Sequence, residues 1–134
     1  CIGCASCIAV CSVAALDINW ESGSNLIQER MVEYAYAVLS NKKGRALFIN
    51  FALKITQECD CMGRDYPRIV PDAGIFLSVD PVACDKACFD RVNALAGRDI
   101  LRELHPKRDG MRQLRHAARL GLGALEYELC TVAA

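Results

Sequence analysis

Four cysteines fall within the first eleven residues, at Cys1, Cys4, Cys7 and Cys11. Gaps of two, two and three residues let successive Sγ atoms curl around a common centre, and four thiols this close have few other uses. The spacing is that of a ferredoxin-type [4Fe-4S] ligand run, and small neighbours such as Gly3 and Ala5 leave the backbone free to donate N–H groups to sulfur. A zinc site would more commonly show two Cys-x2-Cys pairs separated by a longer loop. The expected cofactor is a [4Fe-4S] cluster, with Cys1, Cys4, Cys7 and Cys11 as iron ligands. In two-cluster ferredoxins the fourth cysteine of such a run ligates the other cluster. The expectation is therefore that Cys1, Cys4 and Cys7 serve one cluster and Cys11 its neighbour, the missing partner run lying in an N-terminal part of the same polypeptide. The alternative is a single cluster closed by a cysteine further along.

Bulk properties narrow the class. A chain of 134 residues with 53% hydrophobic and 24% charged residues suits an ordinary globular domain. A formal net charge of zero gives no electrostatic reason to expect nucleic acid or an anionic membrane as partner. The longest apolar stretch, residues 46–53, is far short of the roughly 20 residues that span a bilayer. Nine cysteines, an odd number and clustered, argue against a secreted disulfide framework and for a reducing cytoplasm.

Hydrophobic patterning predicts a mixed α/β chain. Residues 14–20 alternate weakly, as a short strand leaving the cysteine run, and Ser24 is placed to cap a helix that Gly44 follows as a stop. Leu26, Ile27, Met31, Tyr34, Ala35, Val38 and Leu39 recur at helical spacing, with Glu29, Arg30 and Glu33 mostly on the other side. Residues 45–55 read as a strand buried on both faces by their continuous apolar run, and residues 75–79 as a second. Asp80-Pro81 starts a helix reaching Gly97, with Asp80 as N-cap and Pro81 at the first helical position. Shorter helices are predicted over 99–104 and 110–120, and the alternating tail 125–130 suits a short strand. The division expected is a cluster segment over residues 1–20 and an α/β portion over 21–134.

Between the strands, residues 56–72 form a 17-residue connection punctuated by Gly63, Pro67 and Pro71, longer than most unstructured loops without a function. It carries Cys59-Asp60-Cys61. Two readings of this pair stand side by side: thiolates for a metal or for the N-terminal cluster, and two loop thiols with no special role. A tetrahedral site would need two more ligands, from Cys7 or Cys11, from Asp60 or Asp65, or from elsewhere in the polypeptide. Cys84 and Cys88, four apart on a predicted helix and continuous with Val92 and Leu95, read as core thiols; Cys130 reads as inert. His105 and His116 sit among basic residues and are read as surface groups. Seven Lys or Arg against three Asp or Glu between Arg98 and Arg119 suit a solvated face, with an acidic redox partner as the functional alternative. Asp80, Asp85 and Asp90 are given no catalytic role.

Several stretches together resemble the C-terminal part of those domain-of-unknown-function family 362 proteins that contain a ferredoxin-type segment. They are the cysteine run, Met31-Val32-Glu33-Tyr34-Ala35, Lys43-Gly44-Arg45-Ala46-Leu47-Phe48-Ile49-Asn50-Phe51, Ile55-Thr56-Gln57-Glu58-Cys59-Asp60-Cys61, residues 67–74, and Ser78-Val79-Asp80-Pro81-Val82-Ala83-Cys84-Asp85. A weaker likeness lies in residues 121–128. The resemblance implies an α/β domain with an inserted pair of [4Fe-4S] runs, in proteins typical of anaerobes, and makes the Cys-Asp-Cys motif a family feature. Ser12 and Gln57 stand where the family usually has Pro, Cys84 where it usually has an aliphatic residue, and the first cluster run with the N-terminal α/β portion is absent. The function expected is one-electron transfer to a redox partner protein, as an electron carrier or redox subunit rather than a stand-alone enzyme. The alternatives are a redox enzyme centred on Cys59 and Cys61, and a purely structural cluster.

Overall fold

The computed structural model describes residues 6–17, 24–59 and 63–132. Among these residues are five helices and two strands. Helix α1 (Ser6–Ala9) belongs to the cysteine run, and α2 (Ser24–Leu39) follows. Strand β1 (Phe48–Ala52) pairs antiparallel with β2 (Gly74–Ser78), and α3 (Pro81–Ala96), α4 (Ile100–Leu104) and α5 (Met111–Arg119) complete the chain. The result is a mixed α/β fold with a small two-stranded sheet.

Helix α3 is the spine, and local sequence explains its bounds. Asp80 caps it, its carboxylate accepting from the Ala83 N–H at 2.9 Å, with Pro81 just inside the start. It stops at Gly97, which takes the left-handed conformation (φ 68°) while Arg98 N–H reaches back to the Asn93 carbonyl. Each hydrophobic cluster contains an α3 residue. Val82, 2% exposed, packs with Val32 of α2 and with Leu114 and Ala117 of α5. Cys84 and Ala87 lie against Ala52 and Phe76 of the sheet. Val92 joins Val70 from the long connection and Ile100 of α4.

Several expectations change on folding. Residues 45–55 are not buried on both faces: β1 turns Ala52 inward and leaves Ile49 and Phe51 exposed. Among the described residues only one layer covers the sheet, which is why a run apolar on both faces is half exposed. The two strands pair as an antiparallel hairpin, the 56–72 segment returning the chain directly. Its ends are fastened by the Ile69 N–H to Ile55 carbonyl bond, a bridge between Thr56 and Arg68, and the Lys54 N–H bonded to Asp72.

In α2, the predicted apolar stripe is packed only in part. Leu26, Ile27, Met31, Tyr34 and Val38 are exposed, Ala35 and Leu39 are half-buried, and Val32 is the buried residue. Val32 packs against Leu114 and Ala117 of α5, and beside that contact Arg112 pairs with Glu29 at 2.9 Å while His116 Nε2 lies 3.6 Å from Glu33. Finally, residues 14–17 carry no strand, residues 18–20 lie outside the described residues, and the tail 126–132 runs without strand pairing.

Candidate metal centre

Of the four N-terminal thiols, Cys7 and Cys11 are described; Cys1 and Cys4 lie outside the described residues. Cys7 sits exposed within α1, and Cys11 lies just past it, where the chain leaves the helical turn. The turn is tight. Cys11 N–H bonds the Ile8 carbonyl, Ala14 N–H bonds the Cys11 carbonyl, and Ala14 takes a left-handed backbone conformation (φ 49°) that is uncommon for a residue with a Cβ. This wraps a series of N–H groups around one sulfur.

Ala15 N–H donates to Cys11 Sγ at 3.2 Å. The N–H groups of Ala15 and Val13, with lesser help from Leu16 and Ala14, hold the Cys11 thiol below its ordinary pKa. Successive amides facing one anion form a nest, which favours the thiolate over the thiol. A thiolate is what iron, zinc or any soft cation requires of a cysteine.

The second predicted site is partly described: Cys59 is exposed on the long connection, while Asp60 and Cys61 lie outside the described residues. What precedes Cys59 is held in place. Thr56 Oγ1 donates to the Glu58 carbonyl at 2.6 Å, and the His105 ring lies with Nε2 3.0 Å from the Gln57 carbonyl. A carbonyl can only accept, so Nε2–H is the donor in this contact. His105, read from sequence as a surface group, thus ties the end of α4 to the loop carrying Cys59. No sequence signal links residues 57 and 105; the contact is made by tertiary packing alone. Among the described residues, no group of three or more His, Cys, Asp and Glu side chains is arranged to hold a metal ion.

The other cysteines divide by burial. Cys84 is buried, its thiol 3.8 Å from the Phe76 carbonyl and 3.9 Å from that of Phe48. Burial, with the negative charge of Asp85 adding, pushes the Cys84 pKa up, and burial pushes Cys88 up to about 11. Both stay thiols near neutral pH and pack as small apolar groups, as their sequence company implied. Cys130 is exposed on the tail.

The three α3-region carboxylates have structural work. Asp80 caps α3 and also accepts from Ala124 N–H at 2.8 Å. Asp85 accepts from Asn50 Nδ2, and Asp90 from Tyr127 Oη and Lys86. No described helix is long and apolar enough to cross a membrane.

No match to this chain was found among curated proteins or among solved structures. The family model described as "Domain of unknown function (DUF362)" matches residues 2–90, which span the described part of the cysteine run, the sheet and most of α3. A match over 89 of 134 residues is well beyond half of the sequence, and the chain therefore belongs to the DUF362 family.

Proposed function

We propose that this chain is an iron-sulfur protein whose N-terminal cysteines bind a [4Fe-4S] cluster used for one-electron transfer in anaerobic metabolism. The observation that carries the reading is the environment of Cys11. Its sulfur accepts an N–H bond in a turn that lowers its thiol pKa, within a run whose spacing suits cubane ligation. The donor set is chemically suited, because thiolates are the ligands such clusters take. Cys1, Cys4, Cys7 and Cys11 would hold iron, with Cys11 serving a neighbouring cluster if a further cysteine run of the same polypeptide is present. The bound cluster supplies a one-electron couple; the residues of the turn supply thiolate stabilisation and N–H···S bonds, which raise the potential by offsetting negative charge. The partner would be another redox protein, met in the cytoplasm, with no role for nucleic acid or membrane.

A second reading places chemistry at Cys59-Asp60-Cys61, as a redox enzyme with its own metal or substrate site there. It is favoured by the fastening of the preceding residues through Thr56 and His105, which presents Cys59 from a defined position. A third, a purely structural cluster, predicts loss of folding without an accessible redox change when iron is removed.

The test is anaerobic reconstitution of the full-length protein, with iron and sulfide counting and electron paramagnetic resonance before and after reduction. Electron transfer predicts bound iron and sulfide with a reversible low-potential signal, and Cys11→Ser reduces both. Absence of bound iron would overturn the proposal. Cys59→Ser or Cys61→Ser distinguishes the readings: abolished turnover with an intact cluster spectrum favours the enzyme.

A further inference from the structure

An antiparallel sheet with one face on the core ordinarily alternates apolar residues inward with polar residues outward. This sheet does not. Its inner face packs Ala52 and Phe76 against Cys84 and Ala87 of α3. On its outer face, the register places Ile49 directly across from Leu77 and Phe51 across from Ile75. All four side chains are exposed. Leu47, Leu53 and Val79 flank the strand ends at the same parity and are exposed too. No charged residue interrupts the series within either strand, so the face is continuously apolar.

The patch is large. The seven residues are 44–76% exposed, which at about 200 Å² for a fully exposed large side chain amounts to roughly 800 Å². Apolar patches on monomers are commonly about 300–600 Å², whereas a standard protein interface removes about 800 Å² from each partner. The face alone therefore supplies one side of a full interface.

We infer that this outer sheet face is a docking surface for a second copy of the chain, the two sheets stacking face to face about a two-fold axis. Two observations select a second copy. The area matches what a stable dimer needs, and the face is apolar throughout, so it is self-complementary and meets no like-charge repulsion on stacking. Stacked sheets lie about 10 Å apart with strands roughly 30° from parallel, and the bulk of Phe51, Ile75 and Leu77 would interdigitate across that gap. The inference does not depend on the cluster.

Sedimentation equilibrium on the full chain, from about 0.1 to 100 μM, tests it. The chain is expected to sediment as a dimer over most of that range. Phe51→Thr with Leu77→Thr keeps strand propensity while removing apolar area, and should weaken the dimer at least about a hundredfold. Continued protection of the Cys84 thiol from alkylation would show that the sheet still packs on α3. Ile49→Thr alone, at a single exposed position, should weaken association about tenfold, giving a second reading should the double variant fail to fold. Tyr34→Ser, on the exposed side of α2, should leave it unchanged. A chain that remains monomeric throughout, as it would if a further segment of its own polypeptide covered the face, overturns the inference. So does a dimer indifferent to Phe51→Thr/Leu77→Thr and Ile49→Thr.

Discussion

Replacing Gly123 with Ala tests how the end of the chain is joined to the start of α3. A Cβ built on Gly123 would overlap Asp80 Oδ1 and lie 2.6 Å from Cγ, so the carboxylate must move. That carboxylate is not free to move without loss. One oxygen accepts from Ala83 N–H at 2.9 Å as the α3 N-cap, and the other from Ala124 N–H at 2.8 Å. Losing an N-cap costs about 0.5–2 kcal/mol, and losing a hydrogen bond to a charged group about 1.5–3 kcal/mol in a buried setting. Asp80 is partly exposed and water recovers some of the second term, so Gly123→Ala should destabilise the chain by about 2–3 kcal/mol. Urea denaturation followed by circular dichroism at 222 nm would show a lower midpoint at an unchanged slope. The decisive measurement is the double variant. With Asp80→Ala the obstruction is gone, so adding Gly123→Ala should cost little more, leaving a coupling of at least about 1 kcal/mol. A Gly123→Ala variant within about 0.5 kcal/mol of the parent, or strictly additive single effects, would refute the reasoning.

Other outcomes follow from the same contacts. Val82→Ala at the junction of α2, α3 and α5 removes two methyl groups from the most buried side chain and should cost about 2–3 kcal/mol, read in the same denaturation experiment. In the metal-free chain, the thiol of Cys11 should react with iodoacetamide at lower pH than an ordinary cysteine, because its lowered pKa means thiolate appears earlier as pH rises; Cys88, raised to about 11, should resist until strongly alkaline pH. Residue-resolved mass spectrometry across pH checks both, and equal profiles would contradict the described turn. Tyr127→Phe removes the bond to Asp90, which keeps Lys86 as partner, and should cost less than about 1 kcal/mol while increasing amide exchange in residues 125–132. His105→Ala frees the Gln57 carbonyl and should increase amide exchange in residues 56–59, with α3 unaffected.

Much of the fold was legible where sequence signals are local. Asp80-Pro81 and Gly97 bound α3 as their chemistry requires, because capping and left-handed termination involve residues within a turn of one another. The thiols of Cys84 and Cys88 were legible as core groups from the apolar company at helical spacing. The orientation of α2 was not. Its apolar residues cover more than one side of the helix, and which of them are packed depends on where Leu114 and Ala117 of α5 meet Val32, a contact between segments about 80 residues apart. The contact between His105 and Gln57 was likewise invisible, since the two are 48 residues apart and carry no shared motif.

By itself the sequence determined the cysteine spacing, the bounds of α3 and the apolar character of both faces of β1. These are properties of short stretches and survive whatever they pack against. Only the tertiary structure decided that β1 and β2 pair as a hairpin and that one of their two apolar faces meets α3. It also decided that Asp80 reaches forward to Ala124 as well as capping its own helix. Each of these depends on surfaces brought together from distant parts of the chain, and a sheet face records that it is apolar without recording what will cover it.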